Sequence, residues 1–125
     1  MVFIKEVYAH CDLPCGVYDP AQARIEAQSV HEIQKKYDGL DEVNKTRAIF
    51  IKEHRAELVK QHLWVLWSDY FKPVHLEKYP NLHDLFWRAT KQASECKHHM
   101  EQEEGQSLLD LIDEIATIFW QTKKA

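Results

Sequence analysis

Apolar residues recur at helical spacing along most of this 125-residue chain, and no other feature limits the fold as strongly. The first such segment follows Asp19-Pro20, because aspartate suits a helix N-cap and proline suits the first helical position. Gly39 is predicted to end this helix as a left-handed cap. Its inner face is predicted to consist of Ala23, Ala27, Val30, Ile33 and Tyr37.

Three more helices are predicted downstream. The second begins near Asp41 and ends where Pro73 prevents another turn. Near its end, residues 63–67 are apolar nearly all round, so we expect the bundle or another subunit to bury them. Residues 72–81 read as a connection. A third helix is predicted to span Asn81–Met100 and to be followed by a polar break at 101–105. A capping box at Ser107 is predicted to start the fourth helix, which ends in two lysines. The third helix has a predicted inner face of Leu82, Leu85, Phe86, Ala89 and Ala93.

The predicted fold is all-α: an up-down four-helix bundle with an irregular N-terminal metal-binding hook. Only 3 glycines and 4 prolines occur, too few for an all-β protein with many tight turns. Four amphipathic helices with short connections are typical of a bundle. No repeat or second-domain boundary interrupts the pattern, so one domain is expected.

Composition narrows the classes of function. The net charge is -4 and no basic cluster is interleaved with aromatic residues, so no nucleic-acid partner is expected. No apolar run reaches the roughly 20 residues that cross a bilayer, so no membrane association is expected. Three cysteines are poor material for a disulfide framework and favour a reducing compartment, which predicts a cytoplasmic protein.

The stretch AHCDLPCGVYDP, residues 9–20, concentrates metal-binding donors. Cys11 and Cys15 are four apart, and Pro14 and Gly16 can supply bends that bring two thiolates to one ion. If the chain began at His10, an amine, a deprotonated amide and two thiolates could form a square plane, which favours Ni(II) or Cu(II) over tetrahedral zinc. A local disulfide or two free thiols on a flexible arm are the alternatives.

The nine residues before His10 allow two interpretations. They lack the continuous apolar region of a secretory signal. Residues 1–9 are therefore either a flexible N-terminus or a short pro-segment whose removal exposes His10.

The sequence HCDLPCGVYDPAQARIEA, residues 10–27, closely resembles the N-terminal hook of the nickel-containing superoxide dismutases. The resemblance continues through IKEHRAEL, VLWSDYFKP, EKYPNLH and IFWQTKKA, and so covers nearly all the chain after Ala9. The pattern H-C-x-x-P-C-G-x-Y is highly specific to that family.

The resemblance implies an enzyme that converts superoxide anion to O2 and H2O2 through a Ni(II)/Ni(III) cycle, with one nickel ion per subunit of a homohexamer. It assigns the metal to His10, through its α-amine and, when oxidised, its imidazole; to Cys11, through its thiolate and amide nitrogen; and to the Cys15 thiolate. Residues 1–9 are then a leader that a maturation peptidase removes between Ala9 and His10. Residues 10–125 form the enzyme domain, with the hook at 10–18.

The resemblance also implies residues around the metal. Glu26 and the Val17 carbonyl would hold the His10 ring, with Arg55 supporting Glu26. Tyr18 resembles a gate residue over the metal, and Tyr70 is a further candidate beside it. Without the resemblance, Glu26 and Arg55 would read as exposed helix charges.

Two other readings remain open at this point. The chain could be a non-enzymatic metal-storage or helical interaction module, or a bundle whose arm carries only a Cys11–Cys15 disulfide. Cys96 with His98 and His99 also suggests a second metal site, although such residues near a helix end usually ligate nothing.

Overall fold

The computed structural model describes residues 15–124, which are almost entirely helical and contain no strand. The helices are α1 (Ala21–Lys36), α2 (Glu42–Val65), α3 (Pro73–Lys78), α4 (Leu82–His98) and α5 (Gln102–Lys124). A 3₁₀ turn at Tyr37–Gly39 follows α1, and a π-helical turn at Leu66–Tyr70 follows α2. The all-α prediction is confirmed.

Four helices form the predicted bundle. In chain order α1 packs on α2, α2 on α4 and α4 on α5, and α5 closes the ring against α1. The short α1–α2 and α4–α5 connections make those neighbours antiparallel, whereas a longer segment that contains α3 joins α2 to α4. The core between them is aliphatic and aromatic, and its largest fully buried side chains are Phe119, Leu63, Leu82, Leu85, Leu108, Ile112 and Ile115.

The inner faces agree with the helical periodicity. All five residues predicted for α4 are buried, and Cys96 joins them. On α1, Ala23, Ala27 and Val30 are buried, whereas Ile33 is half-buried. At the end of α2, Leu63 and Leu66 are buried but Trp64 is 47% exposed, so the single chain buries only part of this apolar segment.

Helix ends show which capping predictions were right. The second helix begins next to Asp41 as predicted, and Asp41 caps it by accepting a hydrogen bond from the Asn44 backbone N–H at 2.8 Å. The carboxylate of Asp19 accepts from the Ala21 N–H at 2.8 Å, although Pro20 is the residue that immediately precedes α1. The left-handed cap at Gly39 is wrong: α1 tightens into the 3₁₀ turn, and Gly39 does not have a positive φ.

Two further corrections concern the second half of the chain. The predicted connection at 72–81 contains α3, which Pro73 starts at its first position. The predicted polar break at 101–105 and the capping box at Ser107 are wrong, because α5 begins at Gln102 and runs through both.

The reason that α5 contains a glycine is close packing against α1. A Cβ atom on Gly105 would lie 2.9 Å from the Cα atom of His31 and would overlap the side-chain oxygen of Gln34. Gly105 is buried, and the lack of a side chain lets the two helices approach. Glycine here is a packing residue inside a helix rather than a helix breaker.

A buried lysine holds the connection between α4 and α5. The Lys52 ammonium donates to the backbone carbonyls of Lys97 and His99 at 3.1 and 2.8 Å, and Gln34 also donates to the His99 carbonyl at 3.3 Å. Burial lowers the pKa of Lys52. These bonds satisfy carbonyls at the end of α4 that have no partner within the helix.

We predict that Gly105→Ala lowers the free energy of unfolding by about 1–3 kcal/mol, because the added methyl must displace the α1 backbone. Gly39→Ala is the matched control: nothing lies within 4 Å of its Cβ position, and its backbone is compatible with alanine. Urea unfolding of both variants measures the difference. Equal free energies of unfolding for the two variants would contradict the close packing of α5 against α1 at Gly105.

Candidate metal centre

Residues 15–18, the described part of the hook, form with Asp19 an irregular arm that leads into α1. Gly16 has a φ of 71°, in the left-handed region that glycine adopts without strain. This conformation turns the chain directly after Cys15. His10 and Cys11, the other two predicted ligands, lie outside the described residues.

Cys15 presents an exposed thiol at the start of this arm. Its sulfur accepts a hydrogen bond from the Val17 backbone N–H at 3.4 Å and lies 4.0 Å from the Val17 carbonyl oxygen. The thiolate form of cysteine is the one that binds metals, and the exposed position of Cys15 leaves its sulfur accessible.

An aromatic cluster fixes the end of the hook to the bundle. The Tyr18 ring packs against Tyr70, with ring centroids 5.6 Å apart. Tyr70 lies in the π-helical turn, where the Phe71 N–H bonds back five residues to the Leu66 carbonyl at 3.0 Å. The wider turn places Tyr70 against Phe119 of α5, at a centroid distance of 4.4 Å. The structure thus brings the two predicted tyrosines together.

The two predicted charged residues also meet. One Arg55 nitrogen donates to both Glu26 carboxylate oxygens, at 3.0 and 3.2 Å. The Glu26 side chain is only 14% exposed, against 42% for Arg55, so the pair joins α1 to α2 at the edge of the core. His62 is close enough for the Glu26 charge to raise its pKa, but burial has the larger effect and the net shift is downward.

Other residues near Tyr70 were not assigned a role from the sequence. Its hydroxyl lies 2.6 Å from Thr122 Oγ1, its ring stacks on His75, and the Lys123 ammonium lies 5.0 Å from the ring centroid. Thr122 and Lys123 belong to the segment IFWQTKKA, which carried part of the family resemblance. Nothing in the local sequence indicates that this segment reaches the hook.

The second metal site suggested at Cys96 is not formed by the described residues. Cys96 is fully buried, and burial raises the pKa of its thiol to about 12. His99 instead faces Glu95 and Glu101, at 3.3 and 3.6 Å. Within residues 15–124, no three histidine, cysteine or acidic side chains are grouped to hold a metal ion.

Comparisons with known proteins show the family of this chain. A family model for nickel-containing superoxide dismutases matches residues 5–123. The superoxide dismutase (Ni) of Streptomyces coelicolor (strain ATCC BAA-471 / A3(2) / M145) is 59% identical over 120 residues, which are 95% of this chain and 92% of that protein. That of Streptomyces seoulensis is 59% identical over 121 residues, 96% of this chain and 92% of that protein.

The fold is shared as well. The native 1.30 Å structure of a nickel superoxide dismutase superposes with a TM-score of 0.90 at 59% identity, over 93% of this chain and all of that chain. The bundle and its arm are thus those of a metal-dependent oxidoreductase. The chain belongs to the nickel-containing superoxide dismutase family. Membership confirms the predicted activity, superoxide dismutation, and the predicted cofactor, nickel.

One finding bears on membranes. Along residues 15–124, every helix is too short or too polar to span a bilayer.

We predict that the cysteines Cys15 and Cys96 differ sharply in reactivity. Iodoacetamide should label Cys15 in the native chain and label Cys96 only after unfolding. A buried thiol of pKa about 12 is ionised in only about one molecule in a hundred thousand at pH 7. Peptide mass spectrometry measures both sites in one sample.

Equal labelling of the two cysteines in the native chain would contradict this assignment. A Cys15 that reacts only after reduction would instead support the disulfide alternative, with Cys11 as the partner.

Proposed function

We propose that this superoxide dismutase completes its nickel site only after cleavage between Ala9 and His10, so that residues 1–9 are a leader and residues 10–125 are the active domain. The hook, residues 10–18, then supplies the His10 α-amine, the Cys11 thiolate and amide nitrogen, and the Cys15 thiolate. The His10 imidazole is an additional ligand in the oxidised state. The observation that carries the proposal is the exposed, hydrogen-bonded Cys15 thiol on an arm tied to a bundle of this family.

The chemistry of the ligand set supports leader removal. In the uncleaved chain the His10 nitrogen is a peptide nitrogen, whose lone pair is delocalised into the Ala9 carbonyl, so it cannot act as a neutral amine donor to a metal.

The donor set fits nickel. Thiolate and amidate ligands donate electron density, and a planar arrangement of such donors suits Ni(II). When bound, nickel supplies the Ni(II)/Ni(III) couple that carries one electron between two superoxide molecules. One superoxide loses an electron and leaves as O2, and the other gains that electron and two protons and leaves as H2O2.

Glu26, Arg55 and the Val17 carbonyl are proposed to orient the His10 ring. A metal-bound imidazole usually donates its second N–H to a carboxylate or a carbonyl, which fixes its tautomer and direction. Glu26 is suited to this because its carboxylate is mostly buried and is already held by Arg55. Arg55 holds the Glu26 carboxylate in place through its two hydrogen bonds.

Tyr18 and Tyr70 are proposed to line the approach to the metal. Their packing places two phenols beside the arm that carries Cys15. Such groups can bind and orient a small oxygen ligand while their rings limit what else enters. Tyr18 acts as the gate and Tyr70 supports it.

The assembly and location are part of the same proposal. A homohexamer would cover apolar side chains that the single chain leaves outside, of which Phe50 is 69% and Trp64 47% exposed. A cytoplasmic location would suit Cys96, because a reducing compartment keeps a cysteine such as this buried one in its thiol form.

We predict that nickel binding and activity depend on a free amine at His10. Chain that begins at His10 should bind one nickel per subunit and consume superoxide, whereas full-length chain should do neither, because it lacks the amine ligand. Metal analysis and a superoxide-decay assay measure the two properties. Within the cleaved chain, Cys15→Ser should lose activity and Cys96→Ser should keep it, since Cys96 is buried in the core of the bundle.

Full activity in the uncleaved chain would contradict the amine ligand. A cleaved, nickel-loaded chain without activity would favour the storage module.

We also predict that Arg55→Met lowers turnover per bound nickel about tenfold, because Glu26 loses the partner that directs it toward the imidazole. Arg24→Met is the matched control: Arg24 makes a comparable ion pair with Asp113 at 2.7 Å, between side chains about half exposed. The superoxide-decay assay, normalised to nickel content, compares the two. Equal turnover in the two variants would exclude a role for Arg55 in the site.

A further inference from the structure

The hydroxyl of Tyr70 is held by the last turn of α5. It lies 2.6 Å from Oγ1 of Thr122, a residue 52 positions further along the chain. Thr122 Oγ1 is also 2.5 Å from the backbone carbonyl oxygen of Phe119. Three oxygen atoms from two elements thus form a short hydrogen-bonded chain.

The direction of this chain follows from counting hydrogens. A threonine hydroxyl carries one hydrogen, and a carbonyl oxygen carries none. The hydrogen between Thr122 and Phe119 must therefore come from Thr122, which leaves Thr122 Oγ1 as an acceptor. The hydrogen between the two hydroxyls then comes from Tyr70.

The packing around Tyr70 fixes its ring but cannot fix this hydrogen. The neighbouring groups are Phe119, Phe71, Lys123, Tyr18 and His75, with ring centroids or the lysine nitrogen 4.4–5.8 Å from the Tyr70 centroid. A hydroxyl hydrogen rotates freely unless an acceptor captures it. Thr122 is the acceptor that the described part of the chain provides.

We propose that Thr122 is a positioning residue of the nickel centre, which engages the Tyr70 hydrogen so that Tyr70 offers only acceptor lone pairs to molecules that enter beside Tyr18. The proposal rests on the proposed function, because it takes Tyr70 as part of the approach to the metal.

The chemical consequence concerns which species Tyr70 can hold. Superoxide anion carries no hydrogen and needs a donor, which Tyr70 cannot supply while its own hydrogen is bound to Thr122. Water and hydrogen peroxide carry O–H groups that can donate to Tyr70. Tyr70 therefore binds the proton-supplying water or the protonated product, and it neither gains nor loses a proton itself.

The test begins with nickel-free chain, so that it does not depend on activity. In chain with ¹³C-labelled tyrosine, Thr122→Val should shift the Cζ resonance of Tyr70, which reports the hydrogen bonding of the phenol. Thr122→Ser should keep the parent position because it restores the hydroxyl. Thr117→Val is the matched control, since Thr117 on the same helix donates to the Asp113 carbonyl at 3.0 Å, as Thr122 does to the Phe119 carbonyl. The Tyr70 signal is assigned by its loss in Tyr70→Phe.

The second arm uses cleaved, nickel-loaded enzyme. Thr122→Val should lower turnover per bound nickel about tenfold, Thr122→Ser should restore it, and Thr117→Val should leave it unchanged. In a Tyr70→Phe background, Thr122→Val should cause no further loss, because the group it positions is gone.

Each contrary result has a distinct meaning. An unshifted Tyr70 resonance in Thr122→Val, additive losses in the double variant, or parent-like turnover in Tyr70→Phe would overturn the role of Thr122. A cleaved parent chain that fails to bind nickel would contradict the proposed function, and the resonance shift would still report whether Thr122 holds Tyr70.

Discussion

The packing of Tyr18 against Tyr70 is the contact on which the position of the thiol-bearing arm depends. Residues 15–19 belong to no helix, so their direction is set by what the bundle presents. Asp19 fixes one end by accepting from the first turn of α1, and Gly16 supplies the turn after Cys15. Tyr70, itself held by Phe119 and Thr122, links this arm to α5.

The contact between Tyr18 and Tyr70 can position the arm because the bundle that carries Tyr70 is rigid. Full burial of a side chain such as Phe119 contributes about 1.5–3 kcal/mol, whereas an exposed pair such as Arg24–Asp113 contributes about 0–1 kcal/mol. The position of α5, and with it Thr122, is therefore set by the core rather than by surface charges. Two further residues help to set the position of α5. Gly105 allows α5 to approach α1 closely, and Lys52 holds the α4–α5 connection.

Periodicity predicted the bundle because burial on one face of a helix repeats along the sequence. All five residues predicted for the inner face of α4 are buried for this reason, and only Cys96 of that face was not predicted. The start of α5 was predicted wrongly, because composition alone does not distinguish a glycine that breaks a helix from one that packs two helices together. The burial of Lys52 could not be predicted from the sequence either, since its hydrogen-bond partners are backbone carbonyls at the end of another helix.

The candidate site also contains residues that could be predicted from the sequence and one that could not. Cys15 and Tyr18 lie in a compact motif, and family resemblance extended the prediction to Glu26, Arg55 and Tyr70. In the fold Tyr18 meets Tyr70, and Glu26 meets Arg55. Their roles toward nickel stay predictions. Thr122 could not be found from the sequence, because its bond to Tyr70 spans 52 residues and depends on the π-helical turn.

The central claim is that a hook with two thiolates holds the nickel. X-ray absorption at the nickel edge tests it most directly, on the cleaved, loaded chain and on its Cys15→Ser variant. The account predicts two sulfur neighbours around nickel in the parent and one in the variant. A nickel surrounded only by nitrogen and oxygen in the parent, or an unchanged sulfur count in the variant, would contradict it.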